Sequence, residues 1–295
     1  MPLTLPPVSR IALFGSLCQN DRRDGLEHLL MALRKGGIAV YAESGFKAYL
    51  ESMGIESVTG IPQWTGPDTP VDAALSIGGD GTFLRSARRL GGTGIPICGI
   101  NTGHLGFLAH FTLEDTDLLV ALLTAGGAPV EDRMVLRVES PSIPPALWPY
   151  ALNEVAILKE ETSSMIKVSM EIDGCFLADY LADGVVISTP TGSTAYNLAA
   201  GGPLIEPTLR CMAISPVAPH TLTLRPLVVS GEAFIKALTT SRASHYRVSL
   251  DGCSFRMERD TEISICRAPF GIPVILRPGE DFAYTLRHKL LWARR

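Results

Sequence analysis

Charge of either sign is scarce in this chain. Only 19% of its 295 residues are charged, 26 basic and 30 acidic, for a net charge of −4. That excludes the basic footprint of a nucleic-acid binder, so any affinity for phosphate has to be local. Long apolar runs are missing too. The chain is 46% hydrophobic with mean hydropathy +0.22. Yet no uninterrupted stretch reaches the roughly 18–20 residues of a membrane helix. The apolar excess is expected in a large core and in buried subunit contacts. The opening Met-Pro-Leu-Thr-Leu-Pro-Pro lacks the basic and apolar segments of a secretory signal. Six cysteines are present (Cys18, Cys98, Cys175, Cys211, Cys253, Cys266), but no Cys-x-x-Cys pair, which argues against a zinc ribbon. Free thiols in a reducing cytoplasm are the expectation. The Gly-x4-Gly-Lys-Ser/Thr phosphate loop is absent as well.

The order of segments divides the chain. In the first third, strand signals at 11–14, 38–42, 71–77 and 95–100 alternate with helix signals at 25–35, 44–53, 83–90 and 113–123. Leu26, Leu29, Leu30 and Leu33 have helical spacing, Gly36-Gly37 ends that helix, and Ser44 is placed to cap the next. Such alternation predicts a parallel α/β sheet. From Pro129 on, most segments read as strands: 134–139, 151–159, 166–172, 178–188, 234–238, 246–250 and 262–268. Asp173-Gly174 and Asp251-Gly252 are hairpin-turn signals between them. The fold class expected is therefore α/β plus all-β. Residues 1–128 form an α/β domain with a parallel sheet, 129–275 a β-sandwich-like domain, and 276–295 a terminal helix.

Two motifs carry chemistry. Gly78-Gly79-Asp80-Gly81-Thr82 lies between the strand signal at 71–77 and the following helix. Glycines at such a turn let the backbone approach an anion, aided by a helix N-terminus. A carboxylate there repels phosphate. Asp80 therefore makes sense as a metal holder or as the acceptor of a proton from an attacking hydroxyl, and both point to phosphoryl transfer. The same five residues are also ordinary turn chemistry. The second motif runs from Asp183 to Tyr196. Ser188, Thr189, Thr191, Ser193 and Thr194 put five hydroxyls within seven residues, more than a helix cap needs. Hydroxyls suit sugar and phosphate groups. His104 and His220 read as loop histidines. Arg85, Arg88 and Arg89 read either as a solvated helix face or as partners for a phosphate chain.

With these stretches in hand, the chain resembles the NAD kinase family. The resemblance rests on Gly78–Thr82, on Gly-Ile-Asn-Thr-Gly-His-Leu-Gly-Phe-Leu at 99–108, on Asn153-Glu154, on 183–196 with Gly201-Gly202-Pro203 behind it, and on Pro219–Leu222 and Arg225–Leu227. It implies an ATP-dependent kinase that phosphorylates NAD at the adenosine 2′-hydroxyl. It implies Asp80 beside that hydroxyl, with Gly78, Gly79 and Gly81 facing phosphates and Thr82 completing the motif. Asn153 and Glu154 would bind the adenosine end, and Asp183 the nicotinamide end. Thr194, Ala195 and Tyr196 would line the dinucleotide pocket, with Thr191 of the hydroxyl run among the binding residues and Phe107 packing nearby. The site would lie between the two domains. Mg²⁺ or another divalent cation would arrive with the nucleotide, with no dedicated protein metal site. Partners would be NAD and ATP, with polyphosphate as an alternative donor, in a cytoplasmic homodimer or homotetramer with no nucleic acid or membrane partner. Leu181 and Ala199 depart from the family pattern, which often has Arg and Ser there. Rival readings are a lipid or sugar kinase sharing the glycine turn, a non-catalytic NAD(H) sensor, and a Rossmann dehydrogenase. The last wants Gly-x-Gly-x-x-Gly, a spacing that residues 78–82 do not have.

Overall fold

A computed structural model of the chain describes residues 3–18, 22–103, 106–160, 164–290 and 292. His104 and Leu105, named above, lie outside the described residues. The chain divides into two units, one of residues 1–132 with 272–295, the other of residues 133–271.

The first unit is a sheet flanked by helices. Among the described residues its strands run in the order Leu3–Thr4, Pro129–Arg133, Ile272–Ile275, Ile97–Asn101, Ala73–Ile77, Arg10–Gly15, Ala39–Glu43, Gln63–Trp64, with Phe111–Thr112 beside Ile97–Asn101. The centre is parallel, and the Leu3–Thr4 edge is antiparallel. Buried on both faces, the central strand Ala73–Ile77 is continuously apolar apart from Ser76. Helix Arg23–Lys35 buries the predicted leucine stripe and carries Asp24 in its first turn and Arg34 and Lys35 in its last, the polarity a helix dipole favours. Helix Ser44–Ser52 is capped by Glu43, whose side chain accepts from Phe46 N, and not by Ser44. The expected terminal helix is present as Phe282–Lys289.

The second unit is an antiparallel sandwich. One six-stranded sheet runs Tyr150–Ala151, Leu136–Glu139, Thr261–Arg267, Ile235–Thr240, Ile166–Ile172, Cys175–Ala182. The other runs Leu227–Ser230, Cys211–Val217, Gly184–Ser188, Glu154–Lys159, His245–Leu250, Cys253–Glu258. Inward residues of both, such as Val168, Met170, Val155, Ile157, Val185 and Ile187, form one core. Asp173-Gly174 and Asp251-Gly252 turn hairpins as predicted, with φ of 51° and 78°, and 48° and 81°.

Three expectations need correction. The domain limits 128/129 and 275/276 shift because Pro129–Arg133 and Ile272–Ile275 are strands of the first unit's sheet, which the chain re-enters after the sandwich. The predicted strand 178–188 is two strands in two sheets. It breaks at Asp183, and Gly184 follows because a Cβ there would lie 2.4 Å from Ile157 O. The predicted strand 151–159 also breaks. The Asp251 carboxylate takes the amides of Leu152, Asn153 and Glu154 (2.7, 2.8 and 3.1 Å) out of the ladder.

Candidate active site

In the first unit, the strand Arg10–Gly15 is the first of the parallel set. The chain moves from it to one side, through Ala39–Glu43 and Gln63–Trp64. It then crosses to the other side, through Ala73–Ile77 and Ile97–Asn101. The order therefore reverses between Arg10–Gly15 and Ala73–Ile77. The crevice beyond the carboxyl ends of two such strands is where open α/β sheets bind ligands. The loops there, at 16–18 and 78–79, are joined by Ser16 N donating to Ile77 O (2.9 Å).

The glycines of 78–82 do different work. Gly78 is buried at φ +150°, its N–H donates to Ile100 O (2.8 Å), and a Cβ on it would meet Thr82 Oγ1 at 2.6 Å. Its amide belongs to the sheet and is not offered to a phosphate, which corrects one part of the expectation. Gly79 and Gly81 are exposed, with nothing within 4 Å of where a Cβ would stand. Their faces are open to a ligand. The helix begins earlier than predicted, at Asp80, with Gly79 as its cap residue. Thr82 is buried and its hydroxyl accepts from Arg85 (3.1 Å).

Asp80 is held from a distant segment. Phe107 N donates to its Oδ2 (2.8 Å) and Leu108 N to its Oδ1 (3.0 Å). Gly106 packs so closely that a Cβ would lie 2.2 Å from Asp80 Oδ1. The carboxylate is thus fixed in orientation at the first turn of helix Asp80–Leu90, and one lone-pair direction on each oxygen remains for another donor. Phe107 contributes its amide to Asp80, a contact the sequence did not suggest, and its ring lies 5.9 Å from Lys289 Nζ.

Beside this turn lies a cavity of about 680 Å³ lined by residues 14–18, Glu43, Gly45, Thr82, Ser86 and three arginines, Arg85, Arg88 and Arg89. Arg89 lies 4.0 Å from Glu43 and over the Trp64 ring. Of the two readings left open for these arginines, the structure places all three on a cavity wall. The loop at 15–18 is a site element that the sequence reading missed. Its only local signal was a Gly-Ser pair after a short strand.

In the second unit, Asn153, Glu154 and the 188–196 turn come together. Thr189 N donates to Asn153 O (2.9 Å) and Thr189 Oγ1 to Leu152 O (2.6 Å). Gly192 sits where a Cβ would be 2.1 Å from Asn153 O, so only glycine lets these backbones meet. The hydroxyl run is largely structural. Ser188, Thr189 and Ser193 are fully buried and bond to backbone groups. Thr194 Oγ1 donates to Thr191 O (3.2 Å). The helix after the run, Tyr196–Ala199, is a single turn, so the expectation of an anion-binding helix terminus there is not met. What the turn leaves over is specific. Thr191 Oγ1 and Glu154 Oε2 are buried with no hydrogen-bond partner among the described residues, and Ala195 and Tyr196 are half-buried beside them in sequence.

Glu154 is the electrostatic anomaly. Burial, and secondarily the charge of Asp251, push its carboxyl from 4.5 up to about 7, against a smaller opposing pull from the Tyr196 amide. It is therefore able to donate as well as accept near neutral pH. Asp251 was read only as a turn residue. Its carboxylate also fixes Asn153 and Glu154 from 98 and 97 residues away, which a local turn signal cannot reveal. Asp183 stands apart from this cluster. It precedes Gly184–Ser188, whose far end Ser188 pairs with Glu154, so five residues of strand, roughly 17 Å, intervene. Its Oδ1 lies 2.6 Å from Lys159 Nζ.

Comparison with known proteins finds two matched family domains. Residues 65–128 match the ATP-NAD kinase N-terminal domain and residues 152–276 the ATP-NAD kinase C-terminal domain. The chain is 40% identical to an NAD kinase of Bacteroides fragilis, over 96% of this chain and 98% of that protein. It is 40% identical to one of Porphyromonas gingivalis, over 97% and 98%. Among solved structures it is similar to a yeast NADH kinase complexed with NADH, with a TM-score of 0.85 at 22% identity, covering 98% of this chain and 89% of that one. It is also similar to an NAD kinase from Archaeoglobus fulgidus in complex with ATP, with a TM-score of 0.71 at 27% identity, covering 91% and 94%.

Proposed function

The chain belongs to the NAD kinase family, and from that membership we propose how its own residues move a phosphoryl group from ATP to NAD. It is an ATP-dependent phosphotransferase, and the product is NADP, phosphorylated on the adenosine 2′-hydroxyl. Asp80 orients that hydroxyl and receives its proton as the new P–O bond forms. The bond between the transferred phosphorus and the bridging oxygen breaks, and ADP leaves with the electron pair. Such a transfer asks for positioning and charge stabilisation more than covalent help. Gly79 and Gly81 give the phosphates close backbone approach, and Arg85 and Arg88 offer positive charge along the neighbouring cavity. Asn153, Glu154, Thr191 and Tyr196 receive the adenosine portion of the dinucleotide, with Asp183 at the nicotinamide end.

Mg²⁺ enters as part of the donor substrate, ATP with its bound cation. Among the described residues no group of three or more His, Cys, Asp or Glu side chains could hold a metal. The free state of all six cysteines supports a cytoplasmic setting, and among the described residues no helix is long and apolar enough to cross a membrane. Exposed Leu227 and Val228 on an edge strand support a homodimer or homotetramer, which sedimentation equilibrium reads directly.

The observation that carries the reading is the Asp80 carboxylate, fixed by two amides between two open glycines. Asp80→Asn keeps size and hydrogen bonding but not the proton acceptor. Turnover should fall by roughly 10²–10⁴ while calorimetry shows NAD binding little changed and phosphorus NMR places the wild-type phosphate at the 2′ position. Near-wild-type turnover of the folded mutant would remove Asp80 from this role. Full wild-type turnover in excess EDTA would remove the cation.

A further inference from the structure

We propose that the segment Arg277–Lys289 is a clamp that sets the orientation of Asp80, with Lys289 and the His110–Glu280 pair as positioning residues. The proposal rests on Asp80 being the reacting carboxylate.

Among the described residues, no hydrogen bond from its own helix aims the Asp80 carboxylate. Its aim comes from consecutive amides, Phe107 N and Leu108 N, at 2.8 and 3.0 Å. The next two residues of that segment are held from the other end of the chain. Lys289 Nζ donates to Ala109 O at 2.9 Å across 180 residues of sequence. His110 Nδ1 lies 3.3 Å from Glu280 Oε2, with the two side chains only 7% and 12% exposed. Lys289 Nζ also approaches the Phe107 ring. Of four successive residues, 107 and 108 are thus bonded to Asp80, and 109 and 110 to the C-terminal segment.

The clamp has its own anchors. Arg277 bonds Asp115 at 3.0 Å and lies 3.9 Å from Glu280. Asp281 caps the helix that presents Lys289, accepting from Tyr284 N. Beyond His110 the strand Phe111–Thr112 joins the sheet. The segment is therefore tied to Lys289 and Glu280 at 109 and 110 and to the Asp80 carboxylate at 107 and 108. Sub-ångström placement of a reacting group changes rates steeply. The matched family domains end at residue 276, so Glu280 and Lys289 lie outside both.

Lys289→Met removes the ammonium while keeping an unbranched apolar side chain. We expect kcat to fall about 10- to 100-fold, with NAD affinity by calorimetry within about twofold of wild type, and Lys289→Arg to recover most of the loss. The deciding measurement is a double-mutant cycle. In the Asp80→Asn background Lys289→Met should cause little further loss, because its effect passes through Asp80. Glu280→Gln, which keeps shape and removes one charge, should show a smaller loss with the same non-additivity, and serves if Lys289→Met does not fold. Wild-type kcat in both folded variants, or a full multiplicative loss on top of Asp80→Asn, would overturn the clamp. Near-normal turnover of Asp80→Asn alone would instead overturn the Asp80 reading.

Discussion

At the scale of single residues, Glu154 makes the protein's stability depend on pH in a direction opposite to an ion-paired carboxylate. Its folded-state pKa of about 7 lies above the ordinary carboxyl value of 4.5, chiefly through burial. The folded chain therefore holds a proton that the unfolded chain has released between these values. Stability contributed by this group is full below about 4.5, declines as pH rises to about 7, and levels off above. A shift of this size is on the order of 3 kcal/mol. Urea midpoints of wild type and Glu154→Gln, compared at pH 5 and pH 8, should show the variant gaining relative stability at pH 8. A difference that is equal at the two pH values would mean the carboxyl titrates normally. Asp183 is a different case, a third exposed and paired with Lys159, where an ion pair adds little stability. Asp183→Ala should leave the thermal midpoint nearly unchanged. It should raise KM for NAD by roughly tenfold to a hundredfold, the worth of a charged hydrogen bond. An unchanged KM would leave Asp183 as the residue at which the chain changes sheets and nothing more.

At the scale of elements, the Asp251-Gly252 hairpin is both a turn and a support. Its φ of 48° at Asp251 is a left-handed position that Asp tolerates better than Ala. Asp251→Ala would strain the turn and leave three amides without their acceptor. We expect a loss of about 3 kcal/mol or more in urea denaturation. A rise in KM for NAD should accompany it as Asn153 and Glu154 lose their register. Asp251→Asn, which keeps one carbonyl acceptor, should fall between. The turn type was legible, because Asp-Gly between strand-like runs is a strong local signal. The support was not, because the same dipeptide would stand there whether or not its carboxylate reached residues 152–154. The hydroxyl run shows the converse. Five hydroxyls look like a binding surface in sequence, yet three are buried against backbone, and only their neighbours decide which remain for a ligand.

At the scale of the whole molecule, the chain leaves the first unit at Asp132, builds the sandwich, and returns at Ile272. The returning strand Ile272–Ile275 sits between Pro129–Arg133 and Ile97–Asn101. A fragment of residues 1–132 therefore lacks an interior strand of its sheet, whereas 133–271 is continuous and holds its own core. We expect the second fragment to fold with a cooperative urea transition and the first to give a poorly dispersed NMR spectrum. A well-dispersed spectrum for 1–132 would show the returning strand to be dispensable.

By itself the sequence determined whatever depends on neighbours a few residues apart. The leucine spacing of Arg23–Lys35, the alternation of strands and helices, the change to strands after Pro129, the two Asp-Gly turns and the motif at Gly78–Thr82 all rest on local backbone preference and burial period. The family followed from those motifs taken together. Tertiary structure alone decided which groups face each other across the chain. Asp80 is aimed by amides 27 and 28 residues away, and Asn153 and Glu154 by a carboxylate nearly a hundred residues away. Ile272–Ile275 is claimed by the first unit's sheet and not by the adjacent sandwich. A four-residue apolar strand fits either core, and an amide N–H donates to any carboxylate that reaches it. Such pairings are settled by the packing of the whole chain, which no local pattern records.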